Sequence, residues 1–269
     1  MNLKAFILDT LFPIHCISCN KENVWLCDDC FQKIEPVFFQ ICPVCEKIIT
    51  EKGQPCERCR KKNRTLDNLI VSARYKENNL SKLVHLYKYN FIEDLHIPLG
   101  KLLVKAILKN NLPIPDLIIP IPLHPRRLRW RGFNQSELLA KYVSENLTPG
   151  FSIPVFSDLI RRRKYTPPQM KIGKYSERRK NMEEAFEINK QISEKGSADR
   201  SPSGGLSASK KRTVRIDTQF QYLQDKKILL IDDIATTGAT LFECAKILKQ
   251  NGAKKVMGAV IARQEFGEK

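Results

Sequence analysis

No run of apolar residues in this chain approaches the ~20 needed to cross a bilayer, so a helical membrane span is not expected. The opening stretch MNLKAFILDTLFPIHC carries apolar side chains at Leu3, Phe6, Ile7 and Leu11, but Asp9 interrupts them and no small-residue cleavage site follows. It reads as a short helix packed on the protein, not as an export signal. Also missing are G-x-G-x-x-G and Gly-Lys-Ser/Thr. Their absence removes a dinucleotide fold and a Walker-type loop from consideration. Acidic residues are scarce beside basic ones, 29 against 46, for a formal charge of +17. That surplus favours anionic partners: phosphate-rich small molecules, nucleic acid, or both. The 269 residues suffice for one domain of roughly 150–200 residues and a smaller appendage.

Cysteine, by contrast, is plentiful. Nine cysteines without an export signal imply a reducing, cytoplasmic setting, where thiols are read as metal ligands before disulfides. Eight of them form four Cys-x-x-Cys pairs: Cys16/Cys19, Cys27/Cys30, Cys42/Cys45 and Cys56/Cys59. Each pair turns two thiolates onto one ion, and two pairs complete a closed tetrahedral site. Two structural Zn²⁺ ions are therefore expected. Sequential pairing is the default, and interleaved pairing stays open. Eight thiolates on two zincs would lower the formal charge only to about +13. The metals either replace a hydrophobic core over residues 1–64, or form a docking knuckle for nucleic acid or protein. Arg58, Arg60, Lys61, Lys62 and Arg64 favour the second reading. His15 is spare, and the ninth cysteine, Cys244, reads as a small core residue.

The stretch Ile228–Glu243, ILLIDDIATTGATLFE, organises the remainder. Ile228 to Ile231 predict a strand buried on both faces. Asp232 and Asp233 follow, then Ala235, Thr236, Thr237, Gly238, Ala239 and Thr240, then a helical pattern through Leu241, Cys244 or Ala245, and Leu248, with Gly252 placed to stop it. Backbone N–H groups at a helix start bind phosphate, aided by the helix dipole. Gly238 permits close approach, and the threonine hydroxyls add donors. Two ionised aspartates accept hydrogen bonds from a vicinal diol. A ribose 5-phosphate derivative fits that layout. DDIATTGAT resembles the phosphoribosyl pyrophosphate (PRPP) motif of type I phosphoribosyltransferases; the plainer alternative is an N-capped helix after a core strand.

From Leu66 onward strands and helices alternate. Strands are predicted at Asn68–Tyr75, Asp116–Leu123 and Lys255–Ala262, and helices at Ser81–Tyr89, Leu99–Leu108 and Ser136–Asn146. Alternation of this kind predicts an α/β fold with a mostly parallel sheet flanked by helices over residues 65–269. Ligands then bind beyond the carboxyl ends of the strands. Both Asp232 and the Pro122–Arg131 loop fall there. In that loop Pro120, Pro122 and Pro125 stiffen the turn, and Arg126, Arg127, Arg129 and Arg131 offer bidentate donors suited to pyrophosphate. An arginine run is as readily a solvated or nucleic-acid-binding face; beside the PRPP-like motif, Arg126 and Arg127 become candidates for pyrophosphate. Trp130 and Phe133 either stack on a base or pack beneath the loop.

Residues 161–186 are basic and aperiodic, with Pro167, Pro168 and Gly173. PRPP chemistry passes through an oxocarbenium-like state that water would intercept, so a closing hood is expected, and this segment with Arg178 is its candidate. Its alternative is a basic surface loop. Residues 189–216, rich in Ser, Gly and Lys, predict a disordered insert.

Together, the four Cys-x-x-Cys pairs, IPIPLHPRRLRWRGFNQ, the stretch from Gln169 through Glu177-Arg178 and Asn181 to Ala185-Phe186, and DDIATTGAT are similar to the ComF family. That family joins a zinc-ribbon module to a phosphoribosyltransferase-like domain. The resemblance implies that Asp232 and Asp233 hold ribose, that the backbone of Thr236–Thr240 holds the 5′-phosphate, and that the Arg126/Arg127 loop faces the pyrophosphate of Mg²⁺-PRPP. Ala235 stands where the family commonly has a bulkier aliphatic residue. The resemblance further implies a role in natural competence, assisting uptake of single-stranded DNA into the cytoplasm alongside DNA-uptake machinery at the inner membrane face. Two other functions fit the same residues. One is a metabolic phosphoribosyltransferase of salvage or amine transfer. The other is a non-catalytic, PRPP-sensing regulator that binds nucleic acid.

Overall fold

The computed structural model describes residues 14–61, 65–75, 78–165, 182, 184–189 and 222–264. Its centre is a four-stranded sheet, all parallel: β1 (Asn68–Arg74), β2 (Leu117–Pro120), β5 (Lys227–Ala235) and β6 (Lys255–Arg263), in the order β1-β6-β5-β2. A two-stranded antiparallel flap, β3 (Ile160–Arg162) with β4 (Phe186–Ile188), stands apart from it.

Alternation sends successive side chains to opposite faces, and both faces are apolar. Ile70, Ile118, Leu229, Ile231, Met257 and Ile261 enter one core; Leu69, Ile119, Ile228, Leu230, Val256 and Val260 enter the other. Helices α4 (His96–Lys109) and α6 (Gln135–Asn146) cover the first face, with α3 (Asn78–Tyr89) beside them. Helix α7 (Ala239–Gln250) and the flap cover the second. Two further helices are short: α1 (Asp28–Gln32) and α2 (Glu57–Arg60).

Three elements differ from the sequence expectation. Strand β5 does not stop at Ile231; pairing continues until Ala235 stands opposite Arg263 on β6. The neighbouring strand supplies ladder partners that the aspartates alone do not advertise. Strand β2 ends early, at Pro120, because Pro120 and Pro122 have no N–H to donate. The arginine run, expected as a loop, is helix α5 (Pro125–Arg131). Pro125 occupies its first turn, His124 Nδ1 accepts the Arg126 N–H at 3.2 Å, and Gly132 closes it at φ 81°.

The cysteine-rich segment lies along the outer edge of the sheet. Gln40 acts as a strand residue would: its Nε2 donates to Val71 O at 3.1 Å and its Oε1 accepts from Val71 N at 2.9 Å. Val37 N donates to Ser72 O at 3.0 Å, and Asn68 Nδ2 donates to Lys52 O at 2.9 Å. These bonds satisfy a sheet edge that would otherwise pair with other chains. Cys16, Cys27, Cys30, Leu26, Phe31 and Ile34 join the α3/α4 side of the core. The predicted N-terminal helix, most of the hood and nearly all of the 189–216 insert lie outside the described residues.

Candidate functional site

The carboxyl ends of the parallel strands gather the residues singled out from sequence. Asp232 and Asp233 lie on β5 near its end, so their side chains leave on opposite sides of the strand. Asp232 Oδ1 accepts from Ser136 Oγ at 3.1 Å and from the Asp233 N–H at 2.9 Å. Asp233 faces Lys88 from the last turn of α3, with Nζ 3.0 Å from Oδ1. Burial, then the neighbouring Asp233 charge, push the Asp232 carboxyl up to about 7; Lys88 and the two hydrogen bonds act against that rise.

Beyond Ala235 the chain turns through Thr236, Thr237 and Gly238 into α7. Gly238 is the N-cap and adopts φ 70°, a left-handed conformation that a side chain would strain. Thr237 is buried, and its Oγ1 accepts the Ala239 N–H at 3.3 Å. The turn stands at the start of a twelve-residue helix, a position whose backbone N–H groups suit an anion. Ala235 and Ala239 are buried beneath it, and Thr240 is partly exposed with Oγ1 3.5 Å from Met182 Sδ. Cys244 is fully buried one turn further on, where a small core residue was expected.

Further cationic groups stand on α5 and β3. Arg127 is half-buried on α5; burial, then Arg131, depress its guanidinium, and Tyr165 opposes that shift. Arg126 is exposed and stacks over Tyr165 at 5.0 Å, with Arg127 at 5.8 Å from the same ring. Arg162, on β3, is buried and pushed down to about 10 by burial and then by Arg127, against the pull of Asp232. It thus interacts electrostatically with Asp232 and with Arg127. Arg131 turns aside, donating Nη1 to Gln135 Oε1 at 2.9 Å, and Arg129 is exposed. Phe133 packs against Tyr87, while Trp130 is 62% exposed and meets Phe91 edge-on at 5.3 Å. Arg178 lies outside the described residues.

Three contributors escaped the sequence reading. Lys88 was one lysine on an amphipathic helix. Ser136 looked like an ordinary first-turn residue. Arg162 was the middle of Arg161-Arg162-Arg163, where identical residues hide the period-two alternation that buries only the central one.

The eight paired cysteines assemble as two groups, Cys16/Cys19/Cys27/Cys30 and Cys42/Cys45/Cys56/Cys59, each with its sulfurs within 4.8 Å of one another. The pairing is sequential. Thiolates around a tetrahedral zinc with Zn–S near ~2.3 Å stand about 3.8 Å apart. Cys16–Cys27 at 3.9 Å, Cys19–Cys27 at 3.5 Å and Cys45–Cys56 at 4.0 Å match that edge. The donor set fits Zn²⁺, which would brace the two knuckles. His15 belongs to neither group.

Comparison with known proteins agrees with both halves. Residues 7–60 match a double zinc ribbon domain, and residues 143–269 match a phosphoribosyl transferase domain. The chain is 28% identical to "Competence protein F" of Haemophilus influenzae over 94% of this chain and 98% of that protein. It is 29% identical to "DNA utilization protein YhgH" of Escherichia coli O157:H7, over 80% of this chain and 81% of that protein. With "Competence protein ComFC" of Streptococcus pneumoniae it shares 28% identity over 87% and 86%.

Proposed function

We propose, from its similarity to ComF-type competence proteins and its matches to a double zinc ribbon and a phosphoribosyl transferase domain, that the chain binds Mg²⁺-PRPP, or a related phosphoribosyl ligand, while assisting uptake of single-stranded DNA. In this reading Asp232 and Asp233 accept the ribose hydroxyls, the backbone from Ala235 to Thr240 takes the 5′-phosphate, and Arg126, Arg127 and Arg178 serve the pyrophosphate. Arg162 joins them as a buried guanidinium that interacts electrostatically with Arg127 and Asp232. Mg²⁺ would neutralise part of the pyrophosphate charge.

The observation that carries the reading is the placement of two adjacent acids near the end of one strand, followed within five residues by a left-handed Gly238 turn at a helix start, with Arg162 in electrostatic contact with Asp232. Phosphate, diol and pyrophosphate each have a matching group. The DNA role draws on the names of the relatives and on the +17 charge; under it the protein would work in the cytoplasm beside the uptake machinery. Turnover, with the same aspartates and arginines stabilising an oxocarbenium-like state, is the second reading; the partly buried Asp232 and the buried Arg162 favour it, because charged groups gain force away from water. Millimolar Mg²⁺-PRPP should raise the melting temperature of the zinc-loaded protein, and an unmoved transition would remove the reading.

A further inference from the structure

One arginine connects the second cysteine knuckle to the proposed phosphate turn. Arg263 ends β6 opposite Ala235, and the Gln264 N–H donates to Ala235 O at 2.9 Å, so the end of β6 is tied to the residue that opens the turn. The Arg263 side chain is 6% exposed. Its Nη2 donates to the Pro43 carbonyl at 3.2 Å and to Glu46 Oε1 at 2.6 Å. Pro43 lies between Cys42 and Cys45, and Glu46 follows Cys45 at φ 60°, its N–H donating to Cys42 O at 3.0 Å. On its other side the same Nη2 stands 3.9 Å from where a Cβ on Gly238 would be. The guanidinium thus shares the space between the knuckle and the left-handed residue of the turn with the Phe242 ring, whose Cε2 would stand nearer that Cβ, at 3.3 Å. Its Nε is buried and has no hydrogen-bond partner among the described residues.

A buried guanidinium with an idle donor is a costly way to fill a gap, since an apolar side chain of similar volume would pack there without that penalty. The geometry points to Arg263 as a positioning residue. It holds the Thr236–Thr240 turn in its binding form, and the Cys42/Cys45 knuckle sets where Arg263 stands. What the turn binds rests on the phosphoribosyl reading; the mechanical link does not. A displaced knuckle moves Pro43 and Glu46, Arg263 follows these two acceptors, and its support behind Gly238 is withdrawn. The zinc ribbon would then act on the ligand site from behind, without touching the ligand.

The test uses the full zinc-loaded chain and four variants: Arg263→Gln, Arg263→Lys, Glu46→Gln and the Arg263→Gln/Glu46→Gln double. Zinc per chain, backbone amide exchange across residues 228–262 and Mg²⁺-PRPP affinity are read for each. Arg263→Gln should speed exchange at Thr236–Thr240 about tenfold and weaken PRPP by a similar factor, with zinc content unchanged. Glu46→Gln should do the same to a lesser degree. The double variant should match Arg263→Gln alone, because Arg263→Gln already removes the contact that Glu46→Gln weakens. Arg263→Lys should recover most of the protection. Wild-type exchange at the turn in both single variants would overturn the inference, as would acceleration spread evenly over Ile228–Ile231 and Val256–Ile261. Should Arg263→Gln not fold, Glu46→Gln, which keeps an acceptor for Nη2, decides alone. A wild type that ignores PRPP while its turn still responds to these variants sinks the phosphoribosyl reading and leaves the link standing. A wild type that binds PRPP while the turn stays unmoved does the reverse.

Discussion

Lys88 Nζ stands 3.0 Å from Asp233 Oδ1, joining the last turn of α3 to the end of β5. Both side chains are mostly buried, so this pair is not a surface ornament. It neutralises one of two adjacent acids and so restrains the rise of the other. Lys88→Met should therefore push the Asp232 carboxyl further up, because Lys88 is one of the groups holding it down. It should also destabilise the protein by about 1–3 kcal/mol through the charge left unpaired on Asp233. Thermal melting gives the second effect. Carboxyl titration by NMR gives the first, and an Asp232 value unchanged by the substitution would contradict the pairing's role.

The pH dependence follows from the same residue. Asp232 titrates near 7 in the folded protein, above the ordinary aspartate range. Between those values the folded form keeps a proton that the unfolded chain has released. Stability should accordingly fall as pH rises from about 4 to about 7, and the loss should be complete above 7. Ligand binding should run the opposite way, since an ionised Asp232 accepts hydroxyl hydrogen bonds better. PRPP affinity is expected to rise between pH 6 and 8, and Asp232→Asn should flatten both profiles. Melting and titration across that range check the two signs together.

How far the sequence disclosed this site depended on whether a signal was local. Ile228–Ile231 is a continuous apolar run, and DDIATTGAT is contiguous, so the strand and the turn were legible. The cysteine pairs were legible for the same reason, and their sequential grouping was the expected default. Lys88, Ser136 and Arg162 reach Asp233 and Asp232 only through the packing of α3, α6 and the flap around β5, and nothing in their own neighbourhoods marks them. Gln40 is a similar case: its double bond to Val71 imitates a strand, yet a lone glutamine beside Cys42 carries no strand signal. The length of β5 was missed because β6, not the Asp232-Asp233 pair, extends it.

Docking of the second knuckle on the sheet edge has its own test. Gly53 adopts φ 65°, and a Cβ there would collide with the Leu69 carbonyl oxygen. Gly53→Ala should cost more than about 1 kcal/mol and loosen residues 36–54 from β1, with zinc content still at two. Hydrogen exchange at Val71 and Ser72 would report the loosening; wild-type protection there would contradict it.

Single-stranded DNA affinity should fall steeply with salt. The exposed Arg126 and Arg129 on α5, with Arg161 and Lys164 near the flap, supply phosphate contacts, each lowering the log–log salt slope by about 0.7. Arg129→Glu with Lys164→Glu should make that slope shallower by one to two units. Trp130, 62% exposed, offers a stacking face whose removal should cost about 1–3 kcal/mol per base. Fluorescence anisotropy from low to high salt measures both, and a salt-independent affinity would contradict the electrostatic assignment.

The most direct measurement is a calorimetric titration of the zinc-loaded chain with Mg²⁺-PRPP, beside the Asp232→Asn/Asp233→Asn variant. Saturable binding by the wild type, stabilising it by about 2.7 kcal/mol at a hundredfold excess over Kd, and its loss in the variant with both zincs retained, is the predicted result. No heat and no stabilisation in the wild type, or equal binding by the two proteins, would contradict the account.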